Sequence, residues 1–229
     1  TMDNLKTYAK NRGDNFQFVD WQMHCVMGLL FYAQYGHTNS QEKIGIGSSK
    51  GTTTGQTSTY GMNDTKGEIP VVGLNEYGNS GDGQPINFWG LENWWSDKTE
   101  VIYDLIIPED SNYVHLINKD GTIEKLYMES TNFEGSIQNL VFYKGSLMPR
   151  IATYTTSFTT SYCDKVTIRK TLSNKSYYIY RSGEANASNV GIVFINTISN
   201  ISLCTRLAYR GNCVETTNVE EFKNATIIG

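Results

Sequence analysis

Pro85-Ile-Asn-Phe-Trp-Gly-Leu-Glu-Asn-Trp-Trp-Ser-Asp97, running on into Lys98-Thr-Glu-Val-Ile-Tyr-Asp-Leu-Ile-Ile107, holds three of the chain's four tryptophans. Trp89, Trp94 and Trp95 are interleaved with Gly90, Glu92, Asn93 and Asp97. Three indoles this close cannot all be solvated cheaply, because each carries a large apolar area. The stretch reads as a core plug: a tight glycine turn folds over a hydrophobic centre, and a buried strand over 100–107 leaves it. Trp89 and one of Trp94 or Trp95 are expected to be mostly buried. Three indoles exposed on one face would instead make a binding platform.

Composition sets the bounds around that plug. At 229 residues the chain is one domain, with residues 1–15 set apart as a linker or N-terminal extension. An apolar share of 39%, with 12% aromatic, is enough for a substantial core. Abundant Gly, Asn, Ser and Thr call for many turns and irregular segments. The net charge of −4 gives no field suited to nucleic acid. No run of 18 apolar residues occurs, so no membrane insertion is expected. No leader pattern is visible at Thr1, which reads as the start of a trimmed domain, so export stays open.

The cysteines are Cys25, Cys163, Cys204 and Cys213; none forms a C-x-x-C pair, and His24, His37 and His115 are scattered. That spacing argues against zinc. Cys204 and Cys213 can close a short loop in an oxidising compartment; four free thiols fit equally well.

The spacing of Phe16, Val19, Met23, Met27 and Leu30 predicts a long helix over 16–35, with Trp21, Cys25, Leu29 and Tyr32 on an adjacent face. A helix apolar over so much of its circumference is buried against a sheet. Asp14 or Asp20 can cap it, Gly36 stops it, Gly28 permits close approach, and His24 is a polar residue at its edge. Residues 37–83 are small, polar and loop-rich. Gly45, Gly47 and Lys50 lack the order and context of a phosphate loop. Beyond residue 100, short strands are expected over 113–117 and 122–127, joined by an Asp120-Gly121 hairpin turn. Others are expected over 138–143, 151–160, 176–180, 190–195 and 204–209. An early helix followed by runs of strands is α+β with mostly antiparallel pairing.

No catalytic constellation emerges. G-x-S-x-G is absent, and Cys163-Asp164 has no histidine in a recognisable context. Glu92 and Asp104, the carboxylates nearest the tryptophans, are ingredients of a glycosidase pair without its setting. The run Arg181-Ser-Gly-Glu-Ala-Asn-Ala-Ser-Asn-Val-Gly-Ile-Val-Phe-Ile-Asn-Thr-Ile-Ser-Asn-Ile-Ser202 is rich in Asn and Ser with aromatics close by. Such residues suit an adaptable paratope; they also suit a plain polar loop between strands.

Arg181-Ser-Gly183, Val190-Gly191, Asn196 with Ser199 and Ser202, and Arg206-Leu-Ala-Tyr-Arg-Gly211 together resemble the C-terminal part of C-type-lectin-fold variable proteins. These are diversified by diversity-generating retroelements, in phage tail proteins and surface adhesins of gut Bacteroides-like bacteria. Ser161-Tyr-Cys-Asp164 and Ile86-Asn-Phe-Trp-Gly-Leu-Glu-Asn-Trp-Trp95 resemble two further stretches of that family, as does the early helix followed by Asn39-Ser-Gln41 and Ile44-Gly45. The chain departs from the pattern at Ser182 and Ser96, where glycine is usual, at Ala185, where an aromatic is common, and at Cys204-Thr205 before Arg206.

The resemblance implies an α+β, C-type-lectin-like domain with an early buried helix, small antiparallel sheets and long loops. It implies a non-enzymatic adhesion module, extracellular, at the tip of a phage tail fibre or bacterial surface pilus, binding a cell-surface protein or glycan receptor. Candidate contact residues are Tyr162, Asp164, Lys165, Thr167, Glu184, Asn186, Ser188, Asn189, Asn196, Thr197, Ser199, Asn200 and Ser202. Gly183, Gly191, Arg206, Leu207, Ala208 and Tyr209 fall to the scaffold, with Arg206 pairing in the core. Adenine-rich Asn codons at 186, 189, 196 and 200 are what adenine-directed mutagenesis would diversify. The family also contains formylglycine-generating enzymes, whose cysteine pair Cys204 and Cys213 do not match. The alternatives are such an enzyme, a glycan-processing enzyme on the same fold, or a purely structural virion or pilus subunit. The Glu-Pro-Asn and Trp-Asn-Asp calcium motifs are absent, so no metal or cofactor is expected.

Overall fold

A computed structural model describes residues 2–45, 87–89, 91–92, 94–95, 99–111, 113–126, 132–143, 145–153, 162, 164–170, 174–183, 190–198 and 205–211. In chain order the elements are α1 (Met2–Lys10), β1 (Phe16–Phe18), α2 (Trp21–Tyr35), α3 (Ser40–Lys43), β2 (Asn87–Phe88), β3 (Leu91–Glu92), β4 (Glu100–Ile107), β5 (Val114–Ile117), β6 (Ile123–Leu126), β7 (Asn132–Tyr143), β8 (Ser146–Thr153), β9 (Lys165–Arg169), β10 (Tyr177–Arg181), β11 (Ile195–Ile198) and β12 (Leu207–Tyr209). The chain is α+β and mostly sheet. Among the described residues, no helix is long and apolar enough to cross a membrane.

Asp20 decides where the long helix begins. Its backbone is extended and its carboxylate accepts from Met23 N at 2.7 Å, which satisfies an orphan amide of the first turn. Phe16–Phe18, expected as the helix's first turn, instead pairs with Leu207–Tyr209. The 3–4 spacing of Phe16, Val19 and Met23 fits a helix, but the cap and the non-local ladder override it. Gly36 ends α2 in the left-handed conformation (φ 56), its N–H donating to Tyr32 O at 2.9 Å.

The main sheet has eight strands in the order β6-β5-β4-β10-β11-β9-β7-β8, in place of the small sheets expected. Among the described strands, only β9 and β11 pair in parallel. The Asp120-Gly121 turn closes β5 onto β6 as expected, with Gly121 at φ 80. Pro149 is tolerated in β8 because β8 is an edge strand. The 190–195 segment is not a strand: 190–194 is a buried turn, and β11 starts at Ile195.

Helix α2 packs on both β4 and β8. Those strands are five places apart in the sheet, which at about 4.8 Å per place is roughly twice the width of a helix. The sheet therefore curls around α2. Gly28 allows the close approach: a Cβ there would lie 3.1 Å from Val193 Cγ1 and 3.2 Å from Leu147 Cδ2. Cys25 is a buried free thiol that accepts from Leu147 N at 3.2 Å, and burial pushes its pKa up to about 12, so it is inert. Cys163, Cys204 and Cys213, and with them the Cys204–Cys213 loop, lie outside the described residues, as does most of the 37–83 region.

The tryptophan plug is built differently from the expectation. Phe88, Trp94 and Trp95 are all buried, but Trp89 is 44% exposed. Trp89 forms the turn between β2 and β3 with φ 52, so its side chain leaves the hairpin tip and its Nε1 donates to Gln34 Oε1 at 3.0 Å. Trp95 Nε1 donates to Gly45 O at 3.0 Å, which ties the plug to the chain end of α3. His24 is not at an edge either. It is buried, stacked on Trp21, and held neutral with its pKa lowered to about 3 by burial, helped by the Arg181 charge.

Candidate functional site

Two anchors bracket residues 184–189 of the Asn- and Ser-rich stretch. The first is at Arg181, a buried guanidinium at the end of β10. It donates to Glu100 Oε2 and Trp94 O and stacks over the Trp94 ring, 3.4 Å from the centroid. Burial lowers its pKa, while Glu100 pulls the other way. Glu100 also receives Arg206 Nε at 2.5 Å, so one carboxylate holds two arginines, including the pairing expected for Arg206. The chain then turns sharply. Ser182 has φ 60 and Gly183 φ 93, both in the left-handed region. Gly183 has no substitute, because a Cβ would fall 2.7 Å from Thr99 Cα. Ser182 occupies the same conformation with a side chain, at a cost of about 1 kcal/mol.

The second anchor clasps the 190–194 turn. Asp164 Oδ2 accepts from Val193 N at 2.8 Å, Ser40 Oγ accepts from Ile192 N at 3.0 Å, and Gln41 Nε2 donates to Val190 O at 2.9 Å. Gly191 is required inside this clasp: a Cβ there would sit 2.3 Å from both Asp164 Oδ1 and Ser40 Oγ. Asn39 places Ser40 and Gln41 by capping α3, accepting from Gln41 N and Glu42 N.

Asp164 is therefore a positioning residue and not an exposed contact, which corrects its expected role. Its complete burial raises its pKa to about 8, against backbone bonds from Val193 and Gly191 that lower it. Between about pH 4 and pH 8 the native state keeps a proton that the unfolded chain has released. Stability from this group is thus fully present below about pH 4 and is lost as pH rises to about 8, by up to about 1.4 kcal/mol per pH unit. Asp164→Asn mimics the protonated form. Measured by urea unfolding at pH 5, 7 and 9, the variant is expected to gain on the wild type at each step up in pH. A difference that stays constant across the three would show that Asp164 titrates normally.

The other described contact candidates separate as follows. Register places Glu134, Thr167, Asn196 and Tyr180 in one row across β7, β9, β11 and β10, so they share a face. Lys165 lies two residues along β9 on that same face. Asn196, Lys165, Glu134 and Tyr180 are partly exposed, but Thr167 is buried, a second correction to the expected exposure. Thr197 points to the opposite face by strand alternation, and its Oγ1 accepts from Arg169 N at 3.0 Å. Tyr162 is partly buried, edge-on to Tyr32, with its N–H on Ile137 O. Glu184, Asn186, Ser188, Asn189, Ser199, Asn200 and Ser202 lie outside the described residues.

Sequence reading missed Glu134, Tyr180, Ser40 and Gln41. The first two join the row only through pairing, and the last two through contacts about 150 positions away. Among the described residues, no group of three or more His, Cys, Asp or Glu is placed to hold a metal ion. No family model matches the chain, and no curated protein matches it.

Proposed function

We propose that the chain is a C-type-lectin-like receptor-binding module of the retroelement-diversified kind, extracellular, at the tip of a phage tail fibre or bacterial surface pilus. It binds a cell-surface protein or glycan and catalyses no reaction. One observation carries this reading: each end of both polar segments meets the core at a fixed point. The 184–189 segment runs from the Arg181–Gly183 anchor to the 190–194 clasp. The 199–202 segment runs from the end of β11 to Thr205 and Arg206, which bond Val101 O and Glu100. Side chains between such fixed points can change without disturbing the core beneath them. Glu134, Asn196 and Tyr180, partly exposed on one face of the main sheet, add a polar and aromatic surface.

The test replaces 184–189 and 199–202 with Gly/Ser segments of equal length and measures binding of the purified protein to gut Bacteroides-type cells and to a glycan array. Binding is expected to weaken at least about tenfold, or about 1.4 kcal/mol, with the unfolding temperature unchanged. Full binding by a folded double replacement would move the function elsewhere on the surface.

A further inference from the structure

Helix α2 is buried on only part of its circumference. On its inner side Gly28 meets Val193 and Leu147, and Cys25 bonds the Leu147 backbone. Gln22, Val26, Leu29 and Ala33 are exposed. They follow at spacings of four, three and four, which is one helix face and the seam repeat of a coiled coil. Val26 is 43% exposed and Leu29 39%. A β-branched residue followed three places on by leucine is the seam that favours two strands. Ala33 lets a second helix come close at one end.

The apolar surface continues beyond the helix. Trp89 Nε1 donates to Gln34 Oε1, one turn along α2 from the partly exposed Leu30. A bulky residue at φ 52 costs free energy, so the hairpin tip holds this indole outward against its own backbone preference.

Charge selects the partner. No Asp, Glu, Lys or Arg occurs in Trp21–Tyr35, whereas the outer face of a surface helix ordinarily carries them. A two-fold contact sets a surface against its own copy. Like charges placed against each other are the usual bar to such a contact, and this helix has none. The Gln22 amide both donates and accepts, so it suits its own copy as well. Interface cores have this makeup, poor in charge and rich in aromatic residues. We infer that the exposed seam of α2, with Trp89 at its end, is the contact surface of a two-fold dimer of this chain. Fifteen residues give a helix about 22 Å long and about 10 Å wide. That is less than the roughly 800 Å² per partner of a standard interface, so the dimer is expected to form with micromolar affinity. The seam is turned away from the 190–194 clasp, which Gly28 meets through Val193 on the inner side of α2.

Sedimentation velocity of the full chain, from low to high micromolar concentration, tests the inference. A shift from monomer to dimer is expected. Carrying Val26→Glu with Leu29→Glu in one variant, and Val26→Lys with Leu29→Lys in another, is expected to weaken each homodimer at least about tenfold, because like charges then meet at the seam. Mixing the two variants is expected to restore a dimer, which a partner other than a second copy would not do. Thermal melts report whether each variant is folded; if either is not, Trp89→Ala decides, with weakening of about tenfold expected for an exposed tryptophan at a contact. A monomer at every concentration overturns the inference, as does a stoichiometry other than two. So does a dimer that survives the folded variants, or a mixture that stays monomeric. The Gly/Ser replacement of 184–189 and 199–202 is expected to leave the dimer intact, so this inference and the proposed receptor binding fail separately.

Discussion

Glu100→Ala is expected to lower the stability of the protein by about 3–5 kcal/mol, the usual effect of removing one partner from a buried ion pair. The carboxylate is the single acceptor shared by Arg181 and Arg206, whose side chains are 2% and 24% exposed. Without it, a guanidinium stays sealed against the Trp94 ring with, among the described residues, only a carbonyl to receive it. The penalty is mostly that stranded charge and not the attraction lost. Arg206→Ala should therefore cost less, because Arg206 is partly solvated and Glu100 keeps Arg181. For a chain of this length the Glu100→Ala loss corresponds to a drop in unfolding temperature on the order of 10 °C. A melt within two or three degrees of wild type would show that the network is not a support of the fold. The proposed receptor binding should fall with stability, since Arg181 also starts the turn into the 184–189 segment.

Trp95→Ala and Trp89→Ala are expected to differ sharply, although the two residues look alike in sequence. Trp95 is fully buried and bonds Gly45 O, so truncation leaves a large cavity and an unpaired carbonyl, at a cost of about 3–5 kcal/mol. Trp89 is half exposed at a hairpin tip, and its indole donates to the exposed Gln34 side chain. Its loss should cost about 1 kcal/mol or less, as for other surface sites. Trp89→Gly should cost no more than Trp89→Ala, because glycine is at ease at φ 52. Urea unfolding of the three variants separates the cases, and equal losses at 89 and 95 would contradict the burial of the plug.

How much of this was legible without coordinates follows from the range of the interactions. The strand Glu100–Ile107, the Asp120-Gly121 hairpin and the Gly36 stop are local signals, and each was readable from a few adjacent residues. The direction of Trp89 was not, because spacing within a turn does not say which side chain leaves at its tip. The strand Lys165–Arg169 was not, because five residues in a polar setting acquire their place only by pairing with β7 and with β11. Asp164 and His24 carry no mark of burial in sequence. Their partners at 193 lie far along the chain, and polar residues of these types are usually exposed. The anchors of the polar stretch were partly visible as Gly183, Gly191 and Arg206, but Ser40, Gln41 and Glu100 were not.

The pairing of β1 with β12 has a mechanical meaning. Phe16 lies opposite Tyr209, and Arg210 N bonds Asn15 O at 2.9 Å, so the two ends of the ladder at Asn15 and Arg210 lie side by side. Tension applied across those two points peels the short ladder open one bond at a time instead of shearing it whole. Tension on one side only passes the ladder by and loads the body directly. A head hung from a single strap would thus survive pulls that unzip the same head when it is threaded in line. Because Asn15 and Arg210 are neighbours, the chain between them is an excursion that scarcely changes the distance between its flanks.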